Sequence, residues 1–348
     1  MKKYLFFSVL FLFIPSFALL SQSIILQRGN ESFAYKTINE AINNSNNGDI
    51  LYLPPGNFDV NGLQINKGIH IIGAGYHPKT TGAIGQTTIS GNLTIVKGAD
   101  GGSIQGLNFV NAVVFGTDAS NCEVHNFTIY RCYIGGGIFL AYSWNGTTNG
   151  SNFTISENII LGGICGGEAR NVLLTNNVIN QTSGQFRPLT YFKNSIFSNN
   201  IVLPLDDYVS NQVFNCTFKN NVIVKGNLGN VNSYSGNIYL NNLHCSPNGL
   251  NSNGVVQSEG NVYIERSKMF VNATDDNFSF SNDYHLTQEA LNTIKGTDGS
   301  QVGIYGGQYP FKDGAAPINP QIIEKKISST TNPKGKLNVQ IKVKAQNK

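Results

Sequence analysis

Short apolar runs alternate with asparagines through the middle of the chain. Two apolar residues follow each of these asparagines, and most copies carry another apolar residue three positions earlier. The recurring positions are Asn108, Asn158, Asn177, Asn200, Asn221, Asn237 and Asn261, with Cys132 in the Asn place of one further copy. The earlier apolar positions are Ile129, Ile155, Leu174, Phe197, Phe218 and Tyr234. The seven intervals between Asn108 and Asn261 run from 16 to 26 residues, a period typical of repeat architectures.

This repeat predicts a parallel β-solenoid. Runs of four to six β-branched and aromatic residues form strands rather than helices, and an Asn between two runs marks a bend, since Asn tolerates the left-handed backbone region. Successive coils lie about 4.8 Å apart, so the seven asparagines are expected to form a hydrogen-bonded ladder. A leucine-rich repeat is the competing fold. It is disfavoured because Leu is scarce at the repeat positions and the intervals vary widely.

The N-terminus predicts export. Lys2 and Lys3 precede an apolar run from Tyr4 to Leu20 that Pro15 interrupts, and small polar residues follow. This order is typical of a secretory signal peptide, which we assign to residues 1–23. A membrane anchor is the weaker alternative, because the uninterrupted stretch is short for a bilayer span. The expected location is therefore extracellular, cell-surface or periplasmic, with no transmembrane span after the signal is removed.

Composition narrows the functional classes. The chain has 348 residues, a net charge of +4 and only 13% charged residues, so nucleic acid is not an expected partner. The 38 glycines favour turns over helices. The five cysteines lack the close spacing of zinc sites. We expect them to be mostly buried thiols, with one disulfide as the alternative in an oxidising compartment.

The start of the repeat carries a cap signal. Thr37 and Glu40 have the spacing of a capping box, and Ile38, Ala41 and Ile42 would form the inner face of a short helix. Such a helix would cover the open end of a solenoid.

The two ends of the repeat resemble a known family. The helix is followed by Gly48-Asp49, a short strand, Pro54-Pro55-Gly56 and the segment from Ile69 to Gly75. This order is similar to the start of pectate-lyase-like right-handed parallel β-helix proteins. The segments 283–286 and 296–307 resemble the closing segment of secreted bacterial, Bacteroidetes-type members. The resemblance implies a right-handed β-helix over residues 24–307.

Beyond residue 307 the composition changes. Residues 308–320 are rich in Pro, Gly and Ala and predict a linker. Residues 321–348 predict a β-hairpin with a turn at 332–335, one apolar face and one basic face. The hairpin is expected either to dock on the solenoid flank or to act as an attachment element.

The family resemblance implies two enzymatic possibilities, a polysaccharide lyase or a glycoside hydrolase. Lyases of this fold use an Arg or Lys base beside calcium held by acidic residues, and hydrolases use two or three Asp. Asp206 and Asp207 are the adjacent acidic pair inside the repeat. Neighbouring strand residues point to opposite faces, which suits a catalytic pair poorly. Asp206 and Asp207 are weak calcium candidates, with a solvated loop as the alternative. No cofactor is expected unless the chain is a lyase.

A second cluster contains Arg131 and Glu157, directly before the repeat position on consecutive coils, and Glu168 and Arg170 in the next connection. These four are weak catalytic candidates, and a surface ion pair is the alternative.

The third candidate is aromatic. Tyr130, Tyr142 and Trp144 lie in or near a Gly-rich connection, and sugars stack on exposed rings. The alternative is a loop packed on the solenoid. Taken together, these features predict an exported, non-catalytic glycan-binding, adhesive or cell-surface structural module, with a polysaccharide or surface glycan as its partner. An enzyme of the two classes above is the alternative.

Overall fold

The chain folds as a right-handed parallel β-helix of about nine turns, so the all-β solenoid prediction is confirmed. The computed structural model describes residues 23–77, 85–182, 187–205, 208–226, 234–250, 254–314 and 320–344. The predicted signal peptide lies outside the described residues except for Ser23. No helix among the described residues is long and apolar enough to span a bilayer.

Three sheets form the sides of the solenoid. Sheet 1 contains the strands Ile24–Arg28, Glu31–Tyr35, Ile50–Tyr52, His70–Ile72, Ser103–Gln105, Thr128–Tyr130, Thr154–Ser156, Leu173–Thr175, Ile196–Ser198, Thr217–Lys219, Asn237–Leu240 and Val255–Glu259. Sheet 2 contains Gly56–Asp59, Thr87–Ser90, Asn108–Phe109, Tyr133–Ile134, Ile159–Ile160, Val178–Asn180, Ile201–Leu203, Val222–Ile223, Leu243–His244 and Val262–Tyr263. Sheet 3 contains Gln64–Ile65, Leu93–Ile95, Val113–Phe115, Ile138–Phe139, Ile164–Cys165, Leu189–Lys193, Ser210–Phe214 and Tyr234–Ser235. From Ile50–Tyr52 onward, neighbouring strands of the sheets are parallel.

Equivalent side chains stack along the interior. In sheet 1 the cross-strand register aligns one buried row: Ile104, Ile129, Ile155, Leu174, Phe197, Phe218 and Tyr239. The rings of Phe197 and Phe218 stack with centroids 4.5 Å apart. Matched apolar rows bury large areas from water, which is the main source of stability in a solenoid.

The bend between sheets 1 and 2 carries the asparagine ladder. At each step, the side-chain oxygen of one Asn accepts bonds of 2.9–3.0 Å from the backbone N–H and the side-chain amide of the Asn one coil earlier. Its members are Asn158, Asn177, Asn200, Asn221, Asn242 and Asn261. Cys132 occupies the preceding place, because its backbone N–H donates to Asn158 at 2.9 Å.

Two of the predicted ladder positions are wrong. Asn108 pairs with Tyr133, one residue beyond the ladder place of Cys132. Asn237 lies at the bend between sheets 3 and 1, where its side-chain oxygen accepts the backbone N–H of Cys216 at 2.9 Å. Asn242 takes the ladder place instead, 21 residues after Asn221. Asn237 and Asn242 are both buried asparagines at bends of the same coil, so the sequence pattern alone fits either of them.

Replacing Asn237 by Asn242 in the ladder also changes the apolar residue that belongs three positions earlier. Tyr234 belongs to sheet 3, whereas Tyr239 of sheet 1 pairs with Phe218.

A cap closes the N-terminal end as predicted. Helix α1 (Ile38–Asn43) buries Ile38, Ala41 and Ile42, and Thr37 and Glu40 form the capping box. The guanidinium of Arg28 bonds the Asp49 carboxylate at 2.8 Å, which joins the first strand to the turn after the helix. Burial is the largest single influence and would raise the pKa of Asp49, but the hydrogen bonds from Arg28 and Asn46 and the positive charges of Arg28 and Lys67 together lower the pKa overall.

Residues 264–314, here called the closing segment, cover the outer face of sheet 2. The segment contains helix α2 (Arg266–Met269), the paired strands Phe270–Asn272 and Asp283–Leu286, and helix α3 (Gln288–Thr293). The strands of sheet 2 from Ile159–Ile160 to Leu243–His244 are therefore buried on both faces. In one strand, Ile160 points to the interior core, while Ile159 packs in the apolar cluster under the closing segment. This explains why both residues after the repeat Asn are apolar.

The residue directly before each ladder position bends the chain, with φ between 50° and 66° from Gly106 to Gly260. Four of these residues are asparagines that bind the closing segment, and we call them the clasp asparagines: Asn176, Asn199, Asn220 and Asn241. Asn176, for example, donates to the carbonyls of Ile304 and Gly306 at 2.8 and 2.9 Å.

The C-terminal hairpin has the strands Gln321–Thr331 and Leu337–Lys344. Every residue of the second strand is exposed, so this strand does not pack on the solenoid flank, which was one of the two expectations. Residues 315–319 of the predicted linker lie outside the described residues.

Candidate functional site

An aromatic cleft opens between sheet 2 and the closing segment. We define the cleft by Tyr76, His77, Phe280, His285, Tyr305 and Asp313. Its volume is about 280 Å³, close to the lower limit of roughly 300 Å³ for small-molecule sites. Phe280 is 50% exposed, so the cleft is open to solvent.

Ring stacking fixes the walls of the cleft. His77 stacks on Phe280 with centroids 4.4 Å apart, and Phe280 stacks on Tyr133 of sheet 2 at 5.6 Å. On the other side, His285 and Tyr305 stack at 3.8 Å with an interplanar angle of 7°. Rings held against one another present rigid apolar faces at low entropic cost.

Polar groups accompany these rings. The Asp283 carboxylate lies 2.7 Å from His285 Nδ1 and also accepts the backbone N–H of His285 at 2.9 Å. The backbone hydrogen bond is the larger cause that lowers the pKa of Asp283. The Tyr305 hydroxyl donates to Asp313 at 2.7 Å, and burial together with that bond raises the pKa of Tyr305. The described lining contains these two acids but neither Lys nor Arg.

Tyr76 is the most unusual residue of the cleft. Its side chain is 3% exposed, and the described residues supply no hydrogen-bond partner for its hydroxyl. Burial raises the pKa of Tyr76 well above its ordinary value, so the hydroxyl stays protonated. A buried hydroxyl without a partner costs about 1–3 kcal/mol. A ligand group that reached this hydroxyl would remove the cost.

The predicted charged cluster divides into two places. Arg131 and Glu157 pair at 2.9 Å at the bend between sheets 1 and 2, with side chains only 8% and 9% exposed. A surface pair is therefore the wrong description. Both residues occupy left-handed backbone positions, with φ of 52° and 55°, where Gly and Asn occur elsewhere in the row.

Glu168 and Arg170 lie at the other corner, between sheets 3 and 1. Glu168 pairs with Lys193 at 2.6 Å, and both side chains are about two-fifths exposed. Arg170 lines the same hollow of about 250 Å³. The structure thus does not join these residues with Arg131 and Glu157 in one site.

The predicted aromatic candidates are also separated. Tyr130 is on sheet 1, whereas Trp144 makes an edge contact of 5.5 Å with Phe139 of sheet 3 and its carbonyl accepts from the Cys165 thiol. Tyr142 is half-buried in the same connection as Trp144. This loop contacts the solenoid at Phe139 and Cys165.

Asp206 and Asp207 lie outside the described residues. Within the described ranges, no group of three or more His, Cys, Asp or Glu side chains is placed to hold a metal ion. All five cysteines are free thiols, and four of them are buried.

Sequence reasoning missed the aromatic cleft. Its walls come from residues 76–77 and 278–313, which are distant in sequence and meet only because the closing segment folds back. The available signal was the density of rings between Phe278 and Phe311 in a segment otherwise assigned to closure.

Comparisons with known proteins give no further assignment. No family model, no curated protein and no solved structure matches this chain.

Proposed function

We propose that this chain is a non-catalytic glycan-binding module that holds a sugar in the aromatic cleft. The observation that carries the proposal is the Tyr76 hydroxyl, which is buried in the cleft wall without a partner among the described residues. A sugar hydroxyl would satisfy it. The exposed part of the Phe280 ring and the His285–Tyr305 stack would meet the apolar faces of the sugar ring.

The charge of the cleft narrows the class of glycan. Asp283 and Asp313 would repel uronic acids and sulfated sugars, and the described lining offers no basic side chain to offset them. Neutral and amino sugars are therefore the proposed ligands, because an ammonium group would pair with these carboxylates.

The proposal includes export and family membership. The N-terminal apolar segment supports secretion, and the β-helix architecture agrees with the pectate-lyase-like, Bacteroidetes-type resemblance of the two ends. A polysaccharide lyase or glycoside hydrolase is the alternative class. We expect no unsaturated products and no new reducing ends from pectin, alginate or glycosaminoglycans with calcium present.

A glycan array that includes neutral, amino and acidic sugars tests the binding. We expect binding to neutral or amino sugars, with an affinity that falls at least tenfold in Phe280→Ala. Tyr309→Ala is the matched control, because Tyr309 is 70% exposed and does not line the cleft. Binding that survives Phe280→Ala but is lost on Trp144→Ala would move the site to the loop near sheet 3.

Tyr76→Phe provides a sharper test because two effects have opposite signs. Removing an unpaired buried hydroxyl should raise the free energy of unfolding of the free protein, while weakening glycan binding about two- to tenfold. A purely structural Tyr76 would change stability without changing affinity. Turnover that is lost on changing Arg131 or Glu157 would instead support the enzymatic alternative.

A further inference from the structure

The C-terminal hairpin presents an uncovered apolar surface. Cross-strand partners lie on one face of a sheet, and the register pairs Ile322 with Val343 and Ile327 with Val339. Six apolar residues of the hairpin are 39–56% exposed: Ile322, Ile327, Leu337, Val339, Ile341 and Val343. Between these two pairs, Lys325 lies opposite Ile341. A monomeric protein rarely leaves this many apolar residues exposed together, and such surfaces mark sites of interaction.

The hairpin also concentrates positive charge. Residues 320–344 hold six lysines and one glutamate, a net charge of +5, although the whole chain carries only +4. The lysines are Lys325, Lys326, Lys334, Lys336, Lys342 and Lys344. Each of them is exposed. The rest of the molecule is therefore close to neutral, and this charge belongs to the hairpin alone.

The hairpin would be more stable with its apolar face against another surface. A two-stranded ribbon alone is marginally stable in water, and a cover on its apolar face would stabilise it. A second copy of the chain is a poor cover, because two ribbons of +5 would repel each other. An anionic surface with an apolar layer beneath it complements both properties at once.

We propose that the hairpin docks on anionic lipid membranes. Its apolar face enters the boundary between headgroups and acyl chains, and the lysines reach the lipid phosphates. The ribbon lies on the membrane and does not span it. This attachment is independent of the aromatic cleft, which belongs to the closing segment.

Vesicle co-sedimentation of the chain beginning at Ser23 tests the proposal, since the N-terminal apolar segment would itself insert. The probes are vesicles of phosphatidylcholine alone and of phosphatidylcholine with 30% phosphatidylglycerol. We expect binding only to the anionic vesicles, weakening as salt is raised.

A charge variant and a matched control separate the hairpin from the solenoid. The hairpin variant combines Lys325→Gln, Lys326→Gln, Lys342→Gln and Lys344→Gln. The control removes the same charge from the solenoid and the closing segment by Lys36→Gln, Lys97→Gln, Lys225→Gln and Lys295→Gln. We expect the partition coefficient to fall about a hundredfold or more in the hairpin variant. The control should keep it within about threefold.

Apolar insertion needs its own readout. Trp144 is the only tryptophan, so Val339→Trp adds a reporter whose emission should shift to the blue on anionic vesicles. Equal binding to heparin and vesicles, with no shift, would overturn the proposal in favour of a soluble polyanion. Concentration-dependent dimers that Val339→Ser abolishes would assign the face to a second copy. Loss of glycan binding in the cleft variants leaves these outcomes unchanged.

Discussion

Asn200 shows how one side chain serves three coils. Its amide nitrogen donates to the carbonyl of Leu174 and to the side-chain oxygen of Asn221, both at 3.0 Å. Its oxygen accepts the backbone N–H and the side-chain amide of Asn177. Because the residue is 1% exposed, water cannot replace any of these bonds.

Asn200→Ala should therefore lower the free energy of unfolding by about 3 kcal/mol, since each buried group left unpaired costs roughly 1–3 kcal/mol. Urea unfolding followed by circular dichroism measures the change. Asn57→Ala is the control, at an exposed strand position of sheet 2, and should stay within about 0.5 kcal/mol. Equal effects in the two variants would contradict a structural role for the ladder.

The pair of Arg131 and Glu157 combines a buried charge contact with two left-handed backbone positions. Glu157→Ala leaves the guanidinium without its carboxylate and should destabilise the fold by about 3–5 kcal/mol. The double variant Arg131→Asn, Glu157→Asn removes both charges and places at each bend the residue that the clasp positions use.

We expect the double variant to lie much closer to the wild-type urea midpoint than the single one. A double variant that is as unstable as the sum of its singles would show that the pair does not act as a unit.

At the scale of elements, the closing segment depends on the clasp asparagines. Asn176→Gly keeps the backbone conformation accessible, with φ of 56°, but removes the bonds to Ile304 and Gly306. We expect amide exchange within residues 303–311 to rise about tenfold or more, while the ladder amides keep their protection.

The matched control is Asn152→Gly, which has φ of 60° and is exposed. Hydrogen exchange with mass spectrometry distinguishes the two variants. A uniform rise along the whole solenoid in Asn176→Gly would contradict a local role for the clasp.

The elements also show what the sequence could reveal. Strands, bends and the α1 cap depend on residues close together in sequence. The sequence pattern therefore predicts the repeat around Asn158, Asn177, Asn200 and Asn221. The pattern Asn241-Asn242-Leu243 matches the doublets at 176–177, 199–200 and 220–221 better than Gly236-Asn237 does. That doublet was the signal that would have placed the ladder correctly.

The aromatic cleft follows a different rule. Its geometry depends on where the closing segment lands on sheet 2, which the clasp asparagines set through contacts about 50–130 residues apart in sequence. No local period encodes such contacts, and the rings that line the cleft are irregularly spaced. Hydrophobic patterning therefore identified the solenoid but not the site.

At the scale of the whole molecule, one continuous core runs along the solenoid from Ile24 to Leu250 and includes Cys132 and Cys216. Burial raises the pKa of both thiols to about 12, whereas that of Cys245, which is only half-buried, rises to about 11. The native protein should therefore react slowly with thiol reagents at pH 8, with Cys245 first.

In a urea series at pH 8, Cys132 and Cys216 should become reactive over the same transition, because the core couples their coils. Peptide mapping after labelling identifies each thiol, and Cys245→Ser removes the early signal. Reaction of one of the two core thiols at clearly lower urea would indicate that the solenoid opens in parts.

The doublets have a consequence for how this molecule can change its length over evolutionary time. A genetic duplication that inserts one full period would add a rung without disturbing its neighbours, because each rung contacts only those beside it. If the new rung carried two adjacent asparagines, the closing segment would gain one more anchoring point and could shift along the solenoid. The number of inherited doublets would thus determine how far the closing segment extends over the solenoid, and with it where the aromatic cleft opens.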